Sequence, residues 1–159
     1  MNELPQRKRN RLPCFDYNTP HPYFITVCTA DKRCVLGRVA GESSSLPPHV
    51  ELSSWGNVVE AAIREIPMRY PMLKLDKYVV MPNHLHMILW IEEAEGNTPA
   101  VSHVIQQMKG AVTKQLGVSI WQKSFHDHVI RGKQDYLEIW EYIDNNPLKW
   151  ALDRYYSEE

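Results

Sequence analysis

Residues 77–90 read KYVVMPNHLHMILW, and this stretch decides how the rest of the sequence folds. It joins two runs rich in apolar and β-branched residues, 72–81 and 84–91, which are separated only by Pro82 and Asn83. Runs broken by so short a corner predict one hairpin, or one strand pair with a tight corner. The second run is apolar enough to predict a well-buried strand, so the elements on either side must cover it.

The segments before this hairpin change from strand-like to helix-like patterns. Residues 23–29, YFITVCT, are aromatic and β-branched and predict a strand, with a turn at 30–32. Residues 41–54 are rich in serine and proline and predict a long loop or a poorly formed hairpin. A first helix is predicted from a cap at Ser54 to a stop at Pro67.

The segments after the hairpin complete the pattern. Thr98 followed by Pro99 predicts the cap and first position of a second helix, which ends near Gly117. Residues 119–131 predict a further strand, and residues 135 to about 146 predict a last helix that a proline ends. The order strand, helix, strand, strand, helix, strand, helix predicts an α+β fold. We expect a ferredoxin-like split βαβ sandwich with an antiparallel sheet and an added C-terminal helix.

The hairpin also carries a pair of histidines in the triplet His84-Leu85-His86. The period of two in a strand places both imidazoles on one face, with Cβ atoms about 6.5 to 7 Å apart, so the rings can converge on one ion. A plainer interpretation is a polar pair on an open sheet face. The triplet His126-Asp127-His128 offers the same spacing and is the obvious competitor.

The last predicted helix carries a phenol and an amide at positions that share a face. Tyr142 and Asn146 are four residues apart, so they lie one above the other. At roughly 100° per residue, Leu137 and Trp140 point the opposite way, which predicts that they dock on the protein while Tyr142 faces outward. For a lone tyrosine, an ordinary role at the rim of an amphipathic helix is the plainer alternative. The other tyrosines that compete for a functional role are Tyr136, Tyr155 and Tyr156.

Composition limits the class of protein. The chain has 159 residues, of which 43% are hydrophobic, and a formal net charge of −1, which predicts one globular domain and excludes a strongly basic, histone-like binder. Its three cysteines form no C-x-x-C pair, so neither a disulfide framework nor a zinc ribbon is predicted. No apolar run reaches the roughly 20 residues of a membrane span, and we expect a cytoplasmic protein with no membrane partner.

Residues 1–20 differ from the rest of the chain because basic residues and prolines are concentrated there. We predict a basic N-terminal arm over 1–20 and a single folded domain over 21–159. The basic residues of the arm are Arg7, Lys8, Arg9 and Arg11.

Three strings in fixed order make a resemblance specific: KYVVMPNHLHMILW, then IWQKSFHDHVIR at 120–131, then YIDNNP at 142–147. Together they resemble the small single-tyrosine transposases of the HUH superfamily, in particular the REP-associated tyrosine transposases. The string at 11–37, RLPCFDYNTPHPYFITVCTADKRCVLG, is similar to the start of the same family, so the resemblance extends over most of the chain.

The resemblance implies roles for particular residues. His84 and His86 match the histidines that bind Mg²⁺ or Mn²⁺ in this superfamily, and Tyr142 matches its nucleophilic tyrosine. Asn146 matches the polar residue that completes the metal site, at a position where insertion-sequence members commonly carry glutamine.

The resemblance also implies DNA contacts. His126, His128 and Arg131 match the family pattern as structural or DNA-contacting residues. The basic arm can clamp phosphates electrostatically, and Lys109 and Lys114 on the second predicted helix extend that track. For basic residues in a terminal arm, the alternative is a solvated tail.

The activity implied is metal-dependent cleavage and transfer of single-stranded or hairpin-forming repetitive DNA. Attack by Tyr142 leaves a 5′-phosphotyrosine and a free 3′-OH, and no nucleotide cofactor is needed because the ester keeps the bond energy. A cation beside the phosphate offsets the charge that develops during transfer. Monomer and homodimer both stay open.

Two other functions compete with this one. A DNA-hairpin-binding module of the same fold without catalysis predicts binding and no cleavage. A small metal-dependent hydrolase built on His84 and His86 requires a nearby carboxylate ligand, which the local sequence does not supply.

Overall fold

The computed structural model describes residues 21–41, 46–92 and 99–158. Within them lie six strands, three α-helices and two short 3-10 helices. The strands are β1 Pro22–Cys28, β2 Gly37–Ala40, β3 His49–Leu52, β4 Leu73–Val80, β5 His84–Ile91 and β6 His126–Val129. The helices are α1 Ser54–Arg69, α2 Val101–Leu116 and α3 Lys133–Asp144, with 3-10 helices at Ala30–Lys32 and Trp150–Leu152.

The main sheet has four antiparallel strands in the order β4-β5-β1-β6. With α1 between β1 and β4 and α2 between β5 and β6, this is the split βαβ arrangement that the sequence predicts. The ferredoxin-like fold class with an added C-terminal helix is therefore confirmed. The predicted hairpin of β4 and β5 is confirmed as well, with the Met81 amide donating to the His84 carbonyl across the corner.

The two faces of β5 pack against different layers. Leu85, Met87 and Leu89 are fully buried in one core cluster with Ile63 of α1 and Ile105 of α2. Each buried side chain of this size stabilises the fold by about 1.5–3 kcal/mol. The opposite face of β5 lies under α3 and the C-terminal segment, and it carries the two histidines of the hairpin.

Helix α1 departs from its predicted bounds at both ends. Its cap is Ser53, whose hydroxyl accepts from the Gly56 amide at 3.1 Å, not Ser54 as predicted. The predicted stop at Pro67 is wrong, because the helix continues to Arg69. A proline in the last turn removes a single N–H donor, and the next turn still closes through the bond from the Tyr70 amide to the Ile66 carbonyl.

Helix α2 begins at Val101, two residues later than the predicted first position at Pro99. Ala100 is its cap and makes no side-chain hydrogen bond, while Thr98 lies outside the described residues. The predicted end near Gly117 is confirmed, and this glycine has φ 74°, a left-handed conformation that favours glycine.

Two regions differ in regularity from the sequence prediction. The segment 41–54 contains more regular structure than predicted, and the segment 119–131 contains less. The segment predicted as a loop or weak hairpin contains β3, which pairs with β2, although residues 42–45 lie outside the described part. The strand predicted over 119–131 shortens to β6 at its C-terminal end. Ahead of β6, the carbonyls of Gln122 and Ser124 accept from the Lys109 ammonium instead of from a neighbouring strand.

None of the helices in the described residues is both long and apolar enough to cross a membrane.

Candidate active site

His84 and His86 lie side by side in the centre of the sheet, on the face of β5 that α3 and the C-terminal segment cover. Both are almost completely buried, and their ring centroids are 4.6 Å apart. Their cross-strand partners on β1 are Cys28 and Thr26. The alternative of an open polar face is thereby wrong for this pair, and two buried imidazoles need polar partners of their own.

Each imidazole has one nitrogen held by a neighbour. The His84 Nδ1–H donates to Asn83 Oδ1 at 2.8 Å, and Asn83 is in turn fixed by its Nδ2, which donates to the Tyr155 carbonyl at 2.7 Å. His86 Nδ1 lies 2.8 Å from Thr26 Oγ1 in a buried hydrogen bond. Such outer partners fix ring orientation, and with the proton on Nδ1 they leave Nε2 of each ring as the lone-pair nitrogen.

Burial keeps both rings neutral. It lowers the pKa of His84 to about 4, an effect that the negative charge of Asp153 opposes. Burial also lowers the pKa of His86 well below its usual range, with the neighbouring His84 adding to the effect. Neutral imidazole is the form that binds a metal, so both residues are ready as ligands at neutral pH.

Three buried polar atoms at this place have no hydrogen-bond partner within the described residues: His84 Nε2, His86 Nε2 and Asn146 Oδ1. All three are lone-pair atoms that can ligate a divalent cation. A buried acceptor without a partner costs free energy, and a cation shared by all three would remove that cost. The residues therefore fit the metal that the sequence predicts here.

Asn146 reaches the site from the turn that follows α3. It is 1% exposed, and its amide Nδ2 donates to Asp153 Oδ2 at 2.6 Å. Tyr142, one turn earlier, donates from its hydroxyl to the same oxygen at 3.1 Å. Tyr142 and Asn146 thus meet at a common partner, although α3 ends at Asp144 and Asn146 does not lie on the predicted helix face.

Tyr142 lies at the edge of the site and reaches solvent. Its side chain is 39% exposed, and its ring centroid lies 5.3 Å from that of His86. Burial, followed by the charge of Asp153, raises the pKa of Tyr142 to about 12. The hydroxyl is therefore protonated at neutral pH and needs a proton acceptor before it can attack.

The prediction for the docked face of α3 is wrong. Leu137 and Trp140 are exposed, and Ile139 and Ile143 pack against β5 instead. Trp140 is covered in part by Lys77, whose ammonium lies 4.0 Å from the ring centroid. The helix is rotated so that Tyr142 sits at the margin of the docked face, not opposite it.

Asp153 is the residue of the site that sequence reasoning missed. One ligand atom each from His84, His86 and Asp153 lies within 4.8 Å of the others. Its Oδ1 accepts from the Tyr155 amide at 2.8 Å, which holds the carboxylate in place. No motif or periodicity ties Asp153 to His84 and His86, which lie 69 and 67 residues earlier. The only available signal is that Pro147 ends the helix and turns the chain back.

Tyr155 and Tyr136 differ in their distance from the histidines. The ring of Tyr155 is buried with its centroid 4.6 Å from that of His84, and its hydroxyl accepts from Arg154. Tyr136 donates to Asp76 and packs near Trp90. In the described part of the chain, Tyr155 therefore joins Tyr142 as a tyrosine whose ring lies beside the histidine pair.

The second histidine pair lies on the same sheet face, toward the edge. Thr26 pairs with His86 on one side and with His126 on the other, so these side chains point the same way. Both His126 and His128 are exposed, and His128 Nε2 lies 2.7 Å from Asp135. The structure does not bring this pair together with Tyr142.

The predicted DNA-contacting residues are dispersed. The four basic residues of the arm lie outside the described residues. Lys109 and Lys114 lie on α2, whose buried side chains share the core on the opposite face of the sheet from the histidine pair. Burial lowers the pKa of Lys109, whose ammonium is bound to carbonyls. Arg131 is exposed, and its amide donates to Asp135.

Comparisons with known proteins give relatives over most of the chain. It is 30% identical to an uncharacterised protein of Haemophilus influenzae in an alignment 173 residues long, gaps included. The alignment spans 94% of this chain and 93% of that protein. It is 32% identical over 77 residues to the REP-associated tyrosine transposase of Escherichia coli K12, across 48% of this chain and 45% of that protein. No protein-family profile matches the chain.

Two solved structures are similar to this one. A REP-associated tyrosine transposase bound to a REP hairpin superposes with a TM-score of 0.62 at 25% identity, over 92% of this chain and 74% of that one. A protein of Deinococcus radiodurans R1 described as a transposase superposes with a TM-score of 0.51 at 16% identity, over 88% of this chain and 96% of that one. At that identity the second likeness shows a shared fold.

Proposed function

We propose that the chain cuts and rejoins single-stranded, hairpin-forming repetitive DNA, because it resembles the single-tyrosine transposases of the HUH superfamily, in particular the REP-associated tyrosine transposases. The observation that carries this proposal is the convergence of the Tyr142 hydroxyl, the buried histidine pair and Asn146 around Asp153. The hairpin partner is inferred from the relative that was solved with a REP hairpin.

A divalent cation, Mg²⁺ or Mn²⁺, would be held by His84, His86 and Asn146 through their unpartnered buried atoms. When bound, it supplies positive charge to the phosphate oxygens on which negative charge develops during transfer. Asp153 is a further ligand candidate because its carboxylate lies in the same cluster. Both histidines are neutral, so binding requires no loss of protons from them.

The residues of the chain divide the remaining chemistry between them. The Tyr142 hydroxyl attacks the phosphorus, the bond from phosphorus to the 3′ oxygen breaks, and a 5′-phosphotyrosine remains on the protein. Asp153 accepts the hydrogen bond of this hydroxyl, so it is placed to take the phenolic proton. The departing 3′ oxygen takes a proton from solvent. Rejoining reverses these steps and conserves the ester.

The experiment that tests the proposal uses labelled hairpin oligonucleotides with single-stranded flanks, incubated with the protein and Mn²⁺. We expect a covalent protein–DNA band that the Tyr142→Phe variant does not form. The Tyr156→Phe variant, with an exposed tyrosine outside the site, is the matched control and should form the band at the wild-type level. A Tyr142→Phe protein that still forms the adduct would refute the assigned nucleophile.

Asp153 also favours a second candidate, a small metal-dependent hydrolase with two histidines and one carboxylate as ligands. In that reaction water is the nucleophile and Tyr142 forms no bond to the substrate. The same experiment separates the two candidates. Cleavage without a covalent band, retained in Tyr142→Phe, would favour the hydrolase.

A further inference from the structure

A cleft of about 500 Å³ opens beside the hydroxyl of Tyr142. Its walls come from β1, α3 and the C-terminal segment, and we refer to it as the tyrosine cleft. Six of the residues that line it are Phe24, Ile139, Tyr142, Lys149, Leu152 and Arg154. Small-molecule sites have volumes of about 300–1,000 Å³, so the cleft has room for one nucleotide.

One wall of the tyrosine cleft is apolar and partly aromatic. The Phe24 ring lies 5.1 Å from the His86 ring and meets Tyr142 edge-on, with centroids 6.2 Å apart. Ile139 and Leu152 flank it, and Leu152 is 88% exposed although it lies beside a buried site. An accessible phenylalanine beside apolar side chains is the kind of platform on which a nucleobase stacks.

The other wall carries two cations, Lys149 and Arg154. Lys149 has no ion-pair partner within the described residues, and Arg154 is held over the Tyr155 ring, 4.9 Å from its centroid, where it donates to the Tyr155 hydroxyl at 2.8 Å. A guanidinium fixed in this way still has donors for a phosphate.

Two carboxylates, Asp153 and Glu138, also line the tyrosine cleft, and hydrogen bonds hold both of them in place. Asp153 accepts from Tyr142, Asn146 and the Tyr155 amide. Glu138 accepts from Gln134 Nε2 at 2.8 Å. The cleft therefore presents an apolar wall, two cations and two tethered carboxylates to a ligand, and its apolar wall and cations match the base and the phosphate of a nucleotide.

We infer that the tyrosine cleft is the subsite for a nucleotide that flanks the scissile phosphate. Its base lies against Phe24 and Leu152, and its phosphate is held by Lys149 and Arg154. This inference rests on the proposed function, because the cleft opens directly onto the hydroxyl that attacks. Phe24 and Leu152 then determine which base is accepted beside the cut, and Arg154 positions the backbone.

The test uses a library of hairpin oligonucleotides whose single-stranded flank is randomised, incubated with the protein and Mn²⁺. Sequencing the DNA that becomes covalently attached gives the base preference on each side of the cut. We expect a preference at one flanking position in the wild type. Phe24→Leu and Leu152→Ala should flatten that preference and lower adduct formation about tenfold at subsaturating DNA. Leu148→Ala is the matched control, since Leu148 is an exposed leucine of the same segment that does not line the cleft.

The cations are tested by the dependence of the rate on DNA concentration. Arg154→Gln should raise the KM for the oligonucleotide with a smaller effect on kcat, and Arg154→Lys should restore part of the loss. Arg38→Gln, which removes an exposed arginine paired with Glu51 on β2–β3, should leave the KM unchanged.

A binding measurement removes catalysis from the question. In the Tyr142→Phe background, an oligonucleotide with 2-aminopurine at the flanking position should lose fluorescence on binding, and Phe24→Leu should abolish that loss. The subsite is refuted if wild-type protein forms adducts while Phe24→Leu, Leu152→Ala and Leu148→Ala all behave alike. If wild-type protein forms no adduct with any member of the library, the proposed function itself fails.

Discussion

Two histidine pairs with the same spacing lie on the same face of the same sheet, and they differ in almost everything else. His84 and His86 sit on the central strand β5, are buried, and have Nε2 atoms without partners in the described structure. His126 and His128 sit on the edge strand β6 and are exposed, with His128 bound to Asp135. The spacing thus sets the direction of the side chains. The place of the strand in the sheet sets whether the imidazoles are buried or exposed.

The largest effect is expected from changing one histidine in each pair. His86→Gln should abolish Mn²⁺ binding and the covalent adduct, because it removes a buried ligand whose outer nitrogen is fixed by Thr26. His126→Gln should leave both unchanged. Isothermal titration with Mn²⁺ and the adduct assay give the two readouts, and thermal melting checks that each variant is folded. Loss of Mn²⁺ binding in His126→Gln would remove the distinction between the pairs.

A second comparison uses the carboxylate that serves each region. Asp153→Asn should slow adduct formation by about 10²-fold or more, because the group that accepts the Tyr142 proton is lost. Asp135→Asn, which changes the partner of His128, should change the rate less than twofold. Single-turnover kinetics at saturating DNA and Mn²⁺ measure both variants. Equal rates for Asp153→Asn and wild type would exclude a catalytic part for Asp153.

Thr26 lies between the two pairs and should affect only one of them. Thr26→Val keeps the side-chain shape but removes the hydroxyl at His86 Nδ1, so Mn²⁺ affinity should fall about tenfold. Titration of Mn²⁺ into Thr26→Val and wild type measures the difference. An unchanged affinity would show that the hydroxyl does not orient the ring.

The smallest effect is expected from His128. Its contact with Asp135 is solvent-exposed, so His128→Gln should lower the free energy of unfolding by at most about 1 kcal/mol. Urea unfolding measures this value. A loss of several kcal/mol would mean that the edge pair has a structural importance comparable to that of a buried one.

Much of the fold could be predicted because local patterns and topology agree. The hairpin of β4 and β5, the end of α2 at Gly117 and the order of elements all follow from periodicity and turn residues. The extent of α1 beyond Pro67 and the shortening of β6 could not be predicted. The extent of α1 depends on a proline that is tolerated in the last helical turn. The shortening of β6 depends on the Lys109 ammonium, which is distant in sequence from the carbonyls it binds.

The candidate site divides in the same way. The roles of His84, His86, Tyr142 and Asn146 are predicted from the resemblance of their motifs to the transposases, since their local spacing alone leaves plainer roles open. Asp153 and Tyr155 join them through the folding back of the chain after Pro147, which no periodicity encodes. The rotation of α3, which exposes Leu137 and Trp140, was missed because an angular count cannot tell which side of an amphipathic helix a sheet will select.

The central claim is that Tyr142, and not the neighbouring Tyr155, attacks DNA beside the buried histidine pair. Mapping the DNA linkage by tandem mass spectrometry, after nuclease and trypsin digestion of the Mn²⁺-dependent adduct, tests it most directly. The account predicts a nucleotide phosphate on Tyr142, within the tryptic peptide that ends at Lys149. A nucleotide on Tyr155 or on any other residue would contradict it.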